Sequence, residues 1–218
     1  MSDAKTEILA RLRSALDDAP AAPEAPRGYR RQSNRDHAEV VEMLEDRLLD
    51  YRANVFHETS DTIAERIGAL LADTGEYVIP DGLEHTWVPE DTDTRQVIVE
   101  TTEEVLGVKD LNNVGTVVTS STVSCAETGT IFLSGRPDEG RRMITLVPDH
   151  HICVVPLDSI VELVPEAMER VEPTAPITMI SGPSATSDIE LKRVEGVHGP
   201  RNLDVILLRR DAAPSSRA

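Results

Sequence analysis

Three short segments hold the residue types that could do chemistry in this chain. The first, Ile177 to Glu190, reads ITMISGPSATSDIE: an apolar, β-branched run meets Gly182 and Pro183 and then a cluster of small hydroxylated residues. The run favours a buried strand, the Gly-Pro pair forces a sharp turn, and Ser184, Thr186 or Ser187 can cap a following helical turn. In open α/β sheets, ligands bind where strands end in such turns, with backbone N–H groups left to hold an anion. An ordinary capped turn has the same composition. The second segment is AETGT at 126–130, set between Val117, Val118 and Val123 on one side and the strand-like Ile131, Phe132 and Leu133 on the other. Glu127 is a lone acid there, and a buried carboxylate must be paired or protonated. It is either a functional acid or an acceptor for a neighbouring turn. In the third, GVHGPR at 196–201, Gly196, Gly199 and Pro200 fix a loop that displays His198 and Arg201. A rigid arginine beside a glycine clamps an anion, or pairs with one of many surface acids. One pocket would use all three: the turn at 181–187 offers N–H and hydroxyl groups to a carboxylate or phosphate, Arg201 supplies charge, His198 polarises or transfers a proton, and Glu127 faces the same cleft.

Other chemistries find less support. Cys125 and Cys153 sit in or beside apolar strand-like runs, and two thiols fall short of the roughly four that hold an iron–sulfur cluster. A nearby acid raises a thiol pKa, so Cys125 reads as a small buried hydrophobe. His150 and His151 are adjacent, point to opposite faces of a strand and cannot share one ion; His198 with Glu190 or Asp188 lacks any recognised ligand spacing, so no metal is expected. No GxGxxG or other dinucleotide fingerprint is present, and no cofactor is expected on this chain. The 39 acids against 22 bases give a net charge of −17, which disfavours nucleic acid as a partner. Lysine occurs only as Lys5, Lys109 and Lys192, and so acidic a surface suits a salt-rich cytosol, a halophilic or salt-tolerant setting. No run approaches the ~18 consecutive apolar residues of a membrane span, and the start MSDAKTEILARL lacks the apolar centre of a secretory signal, so a cytoplasmic protein is expected.

Positioning these residues requires a sheet. Ile8, Leu9, Leu12 and Leu16 share one face of a helix over Thr6 to Leu16, and the Pro/Ala-rich stretch 17–28 reads as a flexible linker. A single α/β domain is expected over 29–210, with a disordered tail at 211–218. Helices are expected from Asp36, over Ser60 to Ala72 with Ser60 or Asp61 as N-cap, loosely over Val105 to Asn113, and over Ser159 to Val171. Strands are expected at Asn54–Phe56, Tyr77–Ile79, Gln96–Val99, Ile152–Val155, Ile177–Ile180 and Leu203–Leu208. Strands alternating with helices predict an α/β fold with a mostly parallel sheet flanked by helices.

Five motifs in order, AETGT at 126–130, GRR at 140–142, PDHHICVVP at 148–156, SGPSATSDIE at 181–190 and GVHGPR at 196–201, resemble the LUD domain family, most closely its lactate utilisation protein C branch. The resemblance spans about Asn113 to Leu208. It implies a Rossmann-like α/β fold of the NagB/RpiA/CoA-transferase type and a role in oxidising lactate to pyruvate alongside iron–sulfur partner subunits, which would carry the clusters. His151 and His198 match histidines of its motifs. The site expected on this basis has Glu127 and His198 as catalytic groups. Its ligand contacts are Thr128, Gly129, Thr130, Gly182, Pro183, Ser184, Thr186, Asp188, Glu190, Gly199 and Arg201. Three readings follow: a non-redox subunit of a lactate-oxidising assembly that binds a small organic anion or partner, a free-standing acyl-transfer or isomerase-type enzyme using Glu127, and an assembly protein docking through its N-terminal helix.

Overall fold

The computed structural model describes residues 3–17, 24–187, 193–195 and 199–210. The chain divides into two compact units, residues 1–30 and 31–218. The smaller contains α1 (Ala4–Leu16), capped by Asp3, whose carboxylate accepts the Lys5 N–H at 3.2 Å. Ile8, Leu12 and Leu16 on this helix are exposed. The expected tail at 211–218 lies outside the described residues.

The larger unit opens with α2 (His37–Asp50), β1 (Asn54–Thr59), α3 (Ile63–Leu70), β2 (Glu76–Pro80) and β3 (Gln96–Glu100). It continues through α4 (Val108–Val114), β4 (Thr116–Thr119), β5 (Val123–Cys125), β6 (Thr130–Leu133), β7 (His150–Pro156) and β8 (Ile160–Val161). The remainder is α5 (Val164–Met168), β9 (Thr178–Ile180), β10 (Ala185–Ser187), β11 (Arg193–Glu195) and β12 (Asn202–Arg209). Six strands form one sheet in the order β1-β12-β7-β4-β2-β3, and every neighbouring pair runs parallel. This is the α/β architecture that the alternation of strands and helices predicts.

Both faces of that sheet are apolar, as parallel sheets require. On one, Ile152, Val154, Ile206 and Leu208 pack with Ile63, Ile67 and Leu71 of the α3 region. On the other, Cys153, Val155, Val205 and Leu207 pack with Val40, Leu44 and Leu48, three α2 residues spaced four apart. The same face is covered by a second, four-stranded sheet, β8-β5-β6-β9, through Ala126, Ile131 and Leu133. Sequence periodicity does not anticipate this second sheet, whose strands are two to four residues long.

It also corrects the helix expected over Ser159 to Val171. Ile160 and Val161 pair instead with Ser124 and Cys125. Pro165, which has no N–H to donate, is tolerated only in the first turn, so the helix starts at Val164 and runs five residues. Thr62, not Ser60 or Asp61, takes the N-cap position of α3; its hydroxyl accepts the Thr59 N–H at 3.0 Å.

Buried polar ties fix the strand order. Asp204 of β12, 5% exposed, accepts from Asn54 Nδ2 of β1 at 2.7 Å and pairs with His150 Nε2 of β7 at 2.8 Å. At the end of β3, buried Glu100 accepts Arg141 Nε at 3.0 Å on both oxygens, Arg141 Nη2 at 2.6 Å and the Leu106 N–H at 3.0 Å. Arg141 also donates to the Leu106 carbonyl, so one guanidinium seats the short 3-10 turn at Arg142–Thr145. Removing one partner of a buried pair leaves the other charge uncompensated. Arg141→Gln should therefore lower unfolding free energy by about 3–5 kcal/mol in chemical denaturation, and adding Glu100→Gln should recover part of the loss; additive losses would disprove the coupling.

Candidate functional site

A cavity of about 290 Å³ is lined by the end of β9 with the turn 181–184, by Gly199, Pro200 and Leu203, by His151, and by Arg142, Thr145 and Leu146. The turn after β9 and the Gly-Pro of the third motif thus come together, tied by a hydrogen bond from the Ser184 N–H to the Pro200 carbonyl at 2.7 Å. The cavity touches the first residues of β7 and β12. It therefore sits at the amino ends of these parallel strands and at the carboxyl end of β9, the strand whose closing turn the sequence singles out.

Glycine is what brings the second motif close. Gly129 and Gly182 both have positive φ, 58° and 79°. A Cβ on Gly182 would lie 2.6 Å from Tyr51 Cβ and 2.8 Å from its carbonyl oxygen, and one on Gly129 would lie 2.7 Å from Arg47 Cβ. Any side chain at either position would drive the turns off the end of α2. Behind the cavity, Thr130 Oγ1 is 2.9 Å from Ser181 Oγ and 2.8 Å from Thr128 Oγ1, so a row of hydroxyls joins AETGT to SGPS. Thr128, Gly129 and Thr130 support the turn and do not line the cavity.

Two expected groups are elsewhere. Glu127 is exposed in the β5–β6 connection, its N–H donating to the Glu162 carbonyl at 3.0 Å, and it does not line the cavity. The hairpin turn carries its side chain past the apolar strands that the sequence reading set around it. Arg201 pairs with Asp149 at 3.2 Å, both about half exposed, and also lies off the cavity lining. The hydroxylated run after Pro183 forms not a helical turn but β10, paired antiparallel with β11, and Thr186 lies in it. Asp188, Glu190 and His198 lie outside the described residues.

Besides Ser181 and Ser184 of the expected turn, the cavity has polar groups from residues that the sequence reading did not place in the site. Arg142 lines it, and no partner of its guanidinium is found among the described residues. His151 is fully buried, with Nε2 2.8 Å from Thr119 Oγ1, while that hydroxyl donates its single hydrogen to the Ser120 carbonyl at 2.9 Å. The tautomer with the ring hydrogen on Nε2 satisfies both contacts and makes Nδ1 a lone-pair acceptor. Nδ1 is buried and has no hydrogen-bond partner among the described residues. Burial, with a smaller contribution from neighbouring His150, pushes the His151 pKa down to about 3, so the ring is neutral. Alternation in PDHHICVVP could have signalled this, because it places His151 on the face of Cys153 and Val155 and leaves His150 on the other.

Below its unfolded pKa of 6.5, His151 takes a proton only when the chain unfolds, so stability must fall as pH drops from about 6.5 toward about 3. Between pH 7 and pH 5 the native protein should lose about 2 kcal/mol more than His151→Gln does. Urea unfolding at the two pH values measures this; equal losses would place the proton elsewhere.

Comparison with known proteins completes the picture. A LUD domain profile matches residues 29–208. The chain is 39% identical over 211 residues to the lactate utilization protein C of Deinococcus radiodurans, spanning 95% of this chain and 96% of that one. It is 34% identical over 141 residues to the protein of the same name from Bacillus subtilis, spanning 61% and 58%. A crystal structure of a DUF162 family protein from Deinococcus radiodurans superposes with a TM-score of 0.67 at 34% identity, covering 80% of this chain and 99% of that one. Sequence and fold agree: this chain belongs to the LUD domain family.

Proposed function

We propose that this chain serves lactate utilisation as a non-redox component that binds the organic acid, working with iron–sulfur partner proteins in the cytoplasm. The observation that carries the reading is that a cationic residue, Arg142, and a neutral histidine whose Nδ1 has no partner among the described residues, His151, both line one cavity. Arg142 suits a carboxylate, and the bare Nδ1 of His151 suits a hydroxyl hydrogen. A 2-hydroxy acid has both groups on adjacent carbons, whereas its 2-oxo product has no hydroxyl to donate. Oxidation of lactate to pyruvate releases two electrons and two protons, and the electrons pass to the partner clusters. With a pKa of about 3, His151 can accept a hydrogen bond but is too weak a base to hold the hydroxyl proton at neutral pH. Its part is to orient the acid. The names of the relatives support the pathway.

Calorimetric titration of the purified chain with lactate and pyruvate is the test. Lactate should bind roughly tenfold more tightly than pyruvate, the worth of one hydrogen bond to a buried acceptor. Arg142→Gln should weaken both by about 10- to 100-fold, whereas Glu127→Gln should leave both unchanged. Indifference to the Arg142 change would remove the cavity from the reading. Failure of iron–sulfur proteins to co-purify from cells grown on lactate would remove the partners.

A further inference from the structure

The carboxyl ends of β4, β7 and β12 open on a second cleft, of about 230 Å³, that the lactate reading does not use. Nine of its ten lining residues have polar side chains, Pro156 being the exception, so it offers little to an apolar ligand. Arg136, Arg170 and Arg210 all line it, on a chain in which acids outnumber bases by 39 to 22. Each is held in place and keeps further donors. Arg170 Nη1 donates to the Asp158 carbonyl at 3.0 Å, Arg136 Nε lies 3.7 Å from Asp138 Oδ1, and the Arg210 guanidinium lies 5.6 Å from the Trp87 ring centre. The loop bearing Arg136 is itself locked, because fully buried Glu139 accepts the N–H groups of Ser134 at 2.7 Å and Arg136 at 3.0 Å.

The hydroxyls of the cleft differ from one another. Ser121 Oγ donates to the Val154 carbonyl at 3.1 Å, Ser159 Oγ donates to the Pro156 carbonyl at 2.7 Å, and Thr122 Oγ1 donates to Glu139. Ser120 is 1% exposed, and its Oγ has no hydrogen-bond partner among the described residues. A buried hydroxyl left unpartnered is destabilising, and a bound water or ion is one way such a group is satisfied. Three guanidiniums, one waiting hydroxyl donor and strand carboxyl ends describe a receptor for a compact oxyanion. Asp138 and Asp158 line the cleft as well. They favour an anion that also carries a hydrogen, as hydrogen phosphate does and an ionised carboxylate does not.

We infer that this cleft is a phosphate-binding site, for the free ion or for the phosphate of a small ester. The test is calorimetry and thermal unfolding of the full chain with inorganic phosphate, glycerol 3-phosphate and malonate, each against chloride at equal ionic strength. Phosphate should bind saturably and raise the unfolding temperature, and Arg136→Gln and Arg170→Gln should each weaken it at least tenfold. Ser120→Ala should weaken phosphate binding about tenfold yet leave the ligand-free unfolding temperature unchanged or higher, because it deletes a hydroxyl that has no partner. Inorganic phosphate binding as tightly as the ester identifies the free ion, and an ester at least tenfold tighter identifies a phosphorylated metabolite. Malonate binding as tightly as phosphate, no saturable response beyond chloride, or an unchanged response in the double arginine variant would overturn the assignment. Arg142→Gln should not alter phosphate binding, which separates this site from the lactate cavity.

Discussion

A sheet of six parallel strands has two apolar faces, and covering both is the constraint on which the rest of this structure depends. One face is covered in the usual manner, by α3 and the chain around Trp87. The other is shared between α2, α4 with the 3-10 turn around Ile144, and a second, mixed sheet. Where the last strand of that small sheet ends, the cover is incomplete, and the gap is the cavity that contains His151. The candidate site is thus a by-product of how the sheet is shielded. Its walls come from segments far apart in sequence because the covering layer does.

Most strands of the main sheet were legible in the sequence. Tyr77–Ile79, Gln96–Val99, Ile152–Val155 and Leu203–Leu208 all fall within observed strands, since burial on both faces writes a continuous apolar run. Of the short strands, Ile177–Ile180 matches β9 and the strand-like Ile131–Leu133 matches β6, while β4, β5 and β8 were not legible, because two to four residues are too few to show a period. The turn 181–184 and Gly199 line the cavity, and their part in shaping a pocket was legible because their backbone needs are visible locally. Glu127 and Arg201 were misplaced because a charged residue beside a glycine or an apolar run gives no indication of which way a turn will carry it.

Neighbouring residues of identical type do opposite work in this fold. Arg141 is consumed by Glu100 and the Leu106 carbonyl, while Arg142 lines the cavity. His150 clasps Asp204 and fixes strand order, while His151 turns to the covered face and contacts Thr119. Residue type alone could not separate the members of either pair. Strand alternation separates the histidines, and only the tertiary contacts of the 3-10 turn separate the arginines.

The placement of β12 between β1 and β7 also governs the order in which this molecule can be made. Asn54 and its partner Asp204 are 150 positions apart, and β1 has no neighbour in the sheet other than β12. At translation rates of about 5–20 residues per second, β1 leaves the ribosome on the order of ten seconds before the strand it needs. Through that interval the growing chain has an unpaired strand and an open edge on β7, so closing the sheet is necessarily a late event in folding.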